Sequence, residues 1–189
     1  MIKKVFLTAG SFGMMRKHDN DIVTIITTGG TIEKSYDELE GSLINKTTIV
    51  ETNIINRLRY PGVSIEVKPT LTKDSLYISD EDREILVSTL VSTLEKKNPI
   101  VVLHGTDTMD KTVDFVLKYL PKEKLIAPVV FTGAMKPMVF MDSDAMQNIV
   151  EAIFASRIIE AGVYLSFHGK LFNGGTFVKD RNKGTFIIK

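Results

Sequence analysis

The sequence predicts an α/β fold: a doubly wound, mostly parallel sheet with helices on both faces, in three layers. Two observations point there. From Asp21 onward, short apolar runs rich in β-branched residues alternate with amphipathic stretches, the order expected where parallel strands are buried on both sides. The 189 residues, 43% hydrophobic and 25% charged, are enough for a single buried core, without repeats or low-complexity tracts.

Taken in order, residues 1–20 read as an N-terminal arm or extra strand. Lys3 and Lys4 before Val5-Phe6-Leu7 imitate a signal peptide, but neither a small-residue cleavage site nor a long apolar run follows. A cytoplasmic protein is therefore expected, with secretion left open, and Met14-Met15 allows a later natural start. Residues 21–189 form the predicted domain. Ile22–Thr27 is a buried strand ending in Thr28-Gly29-Gly30-Thr31, and the polar, aperiodic segment Glu33–Lys46 reads as a loop. A helix is predicted from about Thr48 to Arg59, closed by Pro61-Gly62, and then a strand over Val63–Val67. Ser79 stands three residues before Asp82, a capping-box spacing, and Leu86, Leu90 and Leu94 then recur on one helical face through to Lys97. The strand Ile100–Leu103 stops at His104-Gly105-Thr106-Asp107-Thr108, with Val113, Val116, Leu117 and Leu120 marking the helix behind it. A strand Val129–Phe131, a turn at Gly133, a helix from about Asp144 to Glu160 and a strand Gly162–Phe167 complete about five β/α units.

Charge and composition narrow the function. Twenty-four Lys and Arg against 23 Asp and Glu leave a net charge of +1, so the chain has no global field for nucleic acid or anionic membranes. No apolar run approaches the ~20 residues a membrane helix needs. The absence of Cys removes disulfides and thiolate chemistry, so a nucleophile must be an oxygen or an amine. With three His and no H-E-x-x-H, neither a metal nor a cofactor is expected. The expected partners are a small molecule and further copies of the chain.

Ligands of open α/β sheets bind outside the carboxyl ends of the strands. Two such ends carry Gly-flanked threonines. Gly29-Gly30 permits a sharp turn that aims Thr31 outward, and Gly105 does the same for Thr106 and Asp107. Taken singly, each feature is ordinary. Gly-Gly-Thr is a common βα turn, Thr106-Asp107-Thr108 suits a helix cap, His104 suits a core and Lys179 a surface. The phosphate-loop and dinucleotide fingerprints are absent, which sets aside a nucleotide-binding domain.

Together, T-T-G-G-T-I (Thr27 to Ile32) and L-H-G-T-D-T-M (Leu103 to Met109) resemble the two signatures of the asparaginase/glutaminase family, the bacterial-type threonine amidohydrolases. F-T-G-A-M-K-P (Phe131 to Pro137) and the pattern Ser143, Asp144, Ala145, Asn148 extend the resemblance, which runs from about Ile22 to the C-terminus. It implies hydrolysis of the side-chain amide of L-asparagine through a threonine nucleophile and an acyl-enzyme, with glutaminase or broader amidase activity as the variant. Thr31 would be the nucleophile and Tyr36, on a mobile lid, its proton relay. Thr106, Asp107 and Lys179 would form the second constellation, and the rival assignment makes Thr106 the nucleophile. A carboxylate neighbour favours a charged lysine, so Lys179 is read as orienter and proton relay. Asp107 would take the substrate ammonium, Ser75 with amides near Gly30 its carboxylate, and amides near Gly105, Thr106 and Ala134 the oxyanion.

The chain also departs from the family. The position after Ser75, often Gln or Ser in relatives, is Leu76, so Asp74 is the candidate to supply the missing polar contact. Most relatives continue into a second, smaller domain that supplies an acid to the neighbouring subunit's site. This sequence reads as a short form equivalent to the N-terminal domain, which leads to the expectation of a homo-oligomer, at least a dimer, with weak substrate affinity. A truncated chain is the alternative. From another functional class, a noncatalytic amino-acid-binding module would keep the clamp but has no use for both threonines and the lysine.

Overall fold

The computed structural model describes residues 21–46 and 48–189; the N-terminal arm, and His18 with it, lies outside them. A six-stranded sheet forms the middle layer. Its parallel strands are β1 (Asp21–Gly29), β4 (Val63–Lys73), β5 (Ile100–Leu103), β6 (Pro128–Thr132) and β7 (Gly162–Phe167), and β8 (Lys170–Asn173) closes one edge antiparallel to β7. The order is β4-β1-β5-β6-β7-β8. The chain thus leaves β1 toward one edge and returns to its other side as β5. That reversal opens a crevice at the carboxyl ends of β1 and β5.

Central strands alternate between two apolar layers, because successive strand residues face opposite ways. Ile100 and Val102 of β5, Val129 and Phe131 of β6, and Ile26 of β1 face one helical layer. Its helices are α2 (Asp80–Leu94), with Leu86, Leu90 and Leu94 inward, and α3 (Met109–Tyr119), with Val113 and Val116 inward. Val23, Ile25, Val101, Leu103 and Val130 face the other layer, where Ile149, Ala152 and Ile153 of α4 (Ala145–Ile158) pack. Truncating any of these large residues to Ala costs about 2–5 kcal/mol. The three-layer α/β architecture is the one predicted. No helix among the described residues is long and apolar enough to cross a membrane.

The capping box forms as the spacing implied: Ser79 Oγ accepts the Asp82 N–H at 3.3 Å, and Asp82 Oδ2 accepts the Ser79 N–H at 2.9 Å. Four local expectations change. The helix predicted over Thr48–Arg59 is a single turn, α1 (Val50–Asn53), followed by a 3-10 turn at Ile55–Arg57. Ile54 breaks the ladder at φ −121°, in a stretch whose β-branched and Asn residues are poor helix formers. The segment Glu33–Lys46 holds a hairpin of β2 (Ser35–Asp37) and β3 (Ser42–Ile44). Its turn is closed by Asp37, which accepts the Leu39 and Glu40 N–H groups, and Lys46 anchors Asp37 at 2.5 Å. Strand β4 runs to Lys73, well past Val67; an edge strand tolerates the Pro69 within it. Beyond Phe167, where no strand was predicted, lie β8 and a hairpin of β9 (Phe177–Asp180) and β10 (Thr185–Ile188).

Candidate active site

The residues around the crevice are brought together by backbone contact. Gly30 sits at φ 77°, and a Cβ on it would overlap the backbone N and Cα of Gly105. A Cβ on Gly105 would in turn lie 2.5 Å from Ser75 Cβ and Oγ. Only glycines allow this approach. Upstream, Thr27 is in register with Leu103, and Thr28 Oγ1 donates to Leu103 O at 2.9 Å. Thr31 and Thr106, each the residue after one of the touching glycines, thereby stand on adjoining turns, with Ser75 packed against Gly105.

Thr106 is 2% exposed and accepts a hydrogen bond from Lys179 Nζ at 2.6 Å. Lys179 also donates to Asp107 Oδ1 at 3.1 Å. Lys179 reaches this place from β9, where it pairs with Phe186 of β10. The hairpin is held to the core by aromatic packing, Phe177 on Phe186 at 5.5 Å and Phe186 on Phe167 at 5.0 Å, both edge-on. Lys179 is only 16% exposed, so the surface reading of this lysine gives way to an inward one.

The cap reading of Thr106-Asp107-Thr108 is not realised. Thr108 stands at the N-cap of α3 without a side-chain cap, and its Oγ1 donates to Ser75 O at 2.8 Å. That bond ties the 3-10 turn Ser75–Tyr77, which follows β4, to the start of α3. His104 is a core histidine: it is fully buried, its Nδ1 lies 2.8 Å from Gly105 O, and burial pushes its pKa down to about 4. It is therefore neutral and braces the Gly105 turn.

Other predicted contacts come out differently. The amides of Gly29 and Gly30 are themselves already used, since Gly30 N–H donates to Lys73 O at 2.8 Å and Gly29 N–H to Glu33 Oε2 at 2.8 Å. What the structure shows of Gly30 is the close approach of its backbone to Gly105. Asp74 is paired with Lys34 at 2.7 Å and accepts the Leu76 N–H, so it is compensated from within the chain. Burial works against the charged form, yet Lys34 and the Leu76 amide hold the Asp74 carboxyl below its usual range. Ala134 is fully buried behind β6, and its loop is tied down by Met135 and Lys136 N–H groups donating to Asp144. Tyr36 stands on the β2–β3 hairpin with 62% of its surface exposed, and among the described residues no hydrogen bond joins its phenol to Thr31.

The sequence from residue 22 to 185 matches the family model described as "Asparaginase, N-terminal". The chain belongs to the asparaginase family. An L-asparaginase of Thermococcus kodakarensis is 29% identical over 164 residues, covering 85% of this chain and 48% of the relative. A glutamyl-tRNA(Gln) amidotransferase component from Methanobrevibacter smithii is 26% identical, covering 88% of this chain and 37% of the relative. The solved structure of the thermostable Thermococcus kodakarensis L-asparaginase superposes with a TM-score of 0.74 at 26% identity, over 88% of this chain and 51% of that one. The chain thus spans about half or less of the length of these relatives.

Within this asparaginase-type domain, three residues of the site had no signal in the sequence pattern. Glu33, inside a polar segment without periodicity, is 3% exposed beneath the Gly29-Gly30 turn. Burial pushes its carboxyl above the usual range, outweighing the hydrogen bonds it accepts. Lys34 compensates Asp74, and Arg181 Nη2 lies 2.7 Å from Asp107 Oδ1. Among the described residues, no group of three or more His, Asp or Glu is placed to hold a metal ion.

Proposed function

We propose that residues 21–189 are the catalytic domain of an asparaginase, which hydrolyses the side-chain amide of L-asparagine to L-aspartate and ammonia. The observation that carries this reading is the coupling of Lys179 to Thr106 and Asp107 beside the touching Gly30 and Gly105 turns. An amide hydrolase needs an activated hydroxyl, donors for the developing oxyanion and a clamp for the substrate's charged ends.

In this mechanism Thr31 Oγ1 attacks the amide carbon, and its proton passes through the Tyr36 phenol to the leaving nitrogen. The C–N bond breaks, ammonia departs and an aspartyl ester on Thr31 remains. Water, oriented by Thr106 and the Lys179 ammonium, then cleaves the ester and restores the threonine. Backbone N–H groups near Thr106 and Ala134 stabilise the oxyanion, each such donor being worth about 3–4 kcal/mol. Asp107 pairs with the substrate ammonium, while Ser75 meets the carboxylate. The relay requires the small β2–β3 hairpin to fold over Thr31, a gating motion typical of lids. The site's open side, with Tyr36 exposed on it, favours completion by a second copy of the chain, so a dimer is expected by light scattering.

Ammonia release from asparagine and from glutamine by the wild type, Thr31→Ala and Thr106→Ala tests the reading. Release by the wild type and loss in Thr31→Ala are expected. Full activity in Thr31→Ala would transfer the nucleophile to Thr106, and no release by the wild type would favour an amino-acid-binding module.

A further inference from the structure

Asp107 carries two cations on one oxygen: Oδ1 lies 3.1 Å from Lys179 Nζ and 2.7 Å from Arg181 Nη2. The two are held differently. Lys179 is 16% exposed and is also tied to Thr106, so it stays. Arg181 is 70% exposed and extends from the turn that follows Asp180, whose Oδ1 accepts the Asn182 and Lys183 N–H groups. An ion pair that exposed shifts an equilibrium by no more than about fivefold. It is also not needed for compensation, because the largely buried Lys179 already neutralises Asp107. One negative and two positive groups leave an excess positive charge at the point where the reaction proposed above brings in a substrate ammonium.

We infer that Arg181 is a specificity-determining residue that occupies the ammonium place at Asp107 and tunes the choice between ligands with an α-ammonium and their desamino counterparts. This rests on the reading of Asp107 as the ammonium acceptor. An aminated ligand that pairs with Asp107 Oδ1 competes there with the guanidinium. A dicarboxylate without the amino group displaces nothing and gains from the excess positive charge. Arginine suits this role because its planar fork pairs with carboxylates from either side: Asp107 in the empty site, or a ligand carboxylate once displaced.

Binding of L-aspartate and of succinate, its desamino counterpart, tests this without requiring turnover. Isothermal titration calorimetry at low ionic strength compares the wild type, Arg181→Gln, Arg181→Lys and Asp107→Asn. Arg181→Gln is expected to raise the aspartate-to-succinate affinity ratio about three- to fivefold, with Arg181→Lys closer to the wild type. An unchanged ratio, an equal loss of both ligands, or no binding of either ligand by wild type and Arg181→Gln overturns the inference. If Asp107→Asn leaves the wild-type ratio intact, Asp107 is not the ammonium acceptor and the inference falls with that assignment. Ammonia release from asparagine is measured in parallel. A shifted ratio without ammonia release would leave the role of Arg181 standing and remove only the hydrolytic reading.

Discussion

Thr31 and Thr106 each follow a glycine at the carboxyl end of a parallel strand, yet their surroundings differ. Thr106 is buried and held by Lys179 at 2.6 Å. Thr31 is half-buried, and no described residue hydrogen-bonds to its hydroxyl. One threonine belongs to a finished network; the other, in the proposed mechanism, is completed by the hairpin and by substrate. A hydroxyl without a described partner suits attack, whereas a hydroxyl locked to an ammonium suits orientation, which is the physical basis for proposing Thr31 as the nucleophile.

The sharpest way to break this comparison is to remove each hydroxyl. Thr31→Ala is expected to lower kcat at least about a thousandfold, roughly 4 kcal/mol, in an ammonia-release assay. Its midpoint of chemical denaturation should stay near that of the wild type. Next in size is Gly30→Ala, which puts a Cβ against Gly105 at φ 77°. Left-handed backbone strain and overpacking together should cost about 3 kcal/mol, read as a lower denaturant midpoint. Both threonine turns should suffer, because the contact positions both.

Thr106→Ala should destabilise by about 1–3 kcal/mol, since the mostly buried Lys179 loses an acceptor. A stability loss in Thr31→Ala equal to that in Thr106→Ala would erase the distinction between the two sites. The smallest effect concerns the support beneath the first turn. Burial raises the Glu33 carboxyl, so the folded state favours its protonated form. Its stabilising contribution is complete below the ordinary carboxylate range and is lost as pH rises through the raised value. Glu33→Gln keeps an acceptor for the Gly29 N–H and cannot ionise. Its Tm relative to the wild type should therefore climb as pH rises from below the ordinary carboxylate range through the raised value, read by thermal denaturation of the two proteins side by side.

Much of the fold was legible because central parallel strands must be apolar on both sides. Ile100–Leu103 and Val129–Phe131 could hardly be anything else once their neighbours showed helical spacing. The Ser79–Asp82 box was legible because capping is local. The turn-rich segments were not. Ser35–Ile44 forms a hairpin through Asp37 contacts that leave no periodic trace, and the Ile-rich run after Thr48 looks helical by spacing while its residues resist a helix. The two glycine-threonine turns stood out only as a pair, and both lie within the stretch 22–185 that matches the asparaginase family.

The alternation of the central parallel strands with helices, the apolar faces of the core and the two threonine-bearing turns were determined by the sequence alone, since hydrophobic period and glycine placement act over a few residues. Tertiary structure decided which side chains meet there. Lys179 and Arg181 reach Asp107 from more than seventy positions away along the chain, carried by a hairpin that Phe177 and Phe186 dock onto the core. Ion pairs and buried hydroxyl contacts of that kind depend on where separate segments are packed, and no local pattern encodes them.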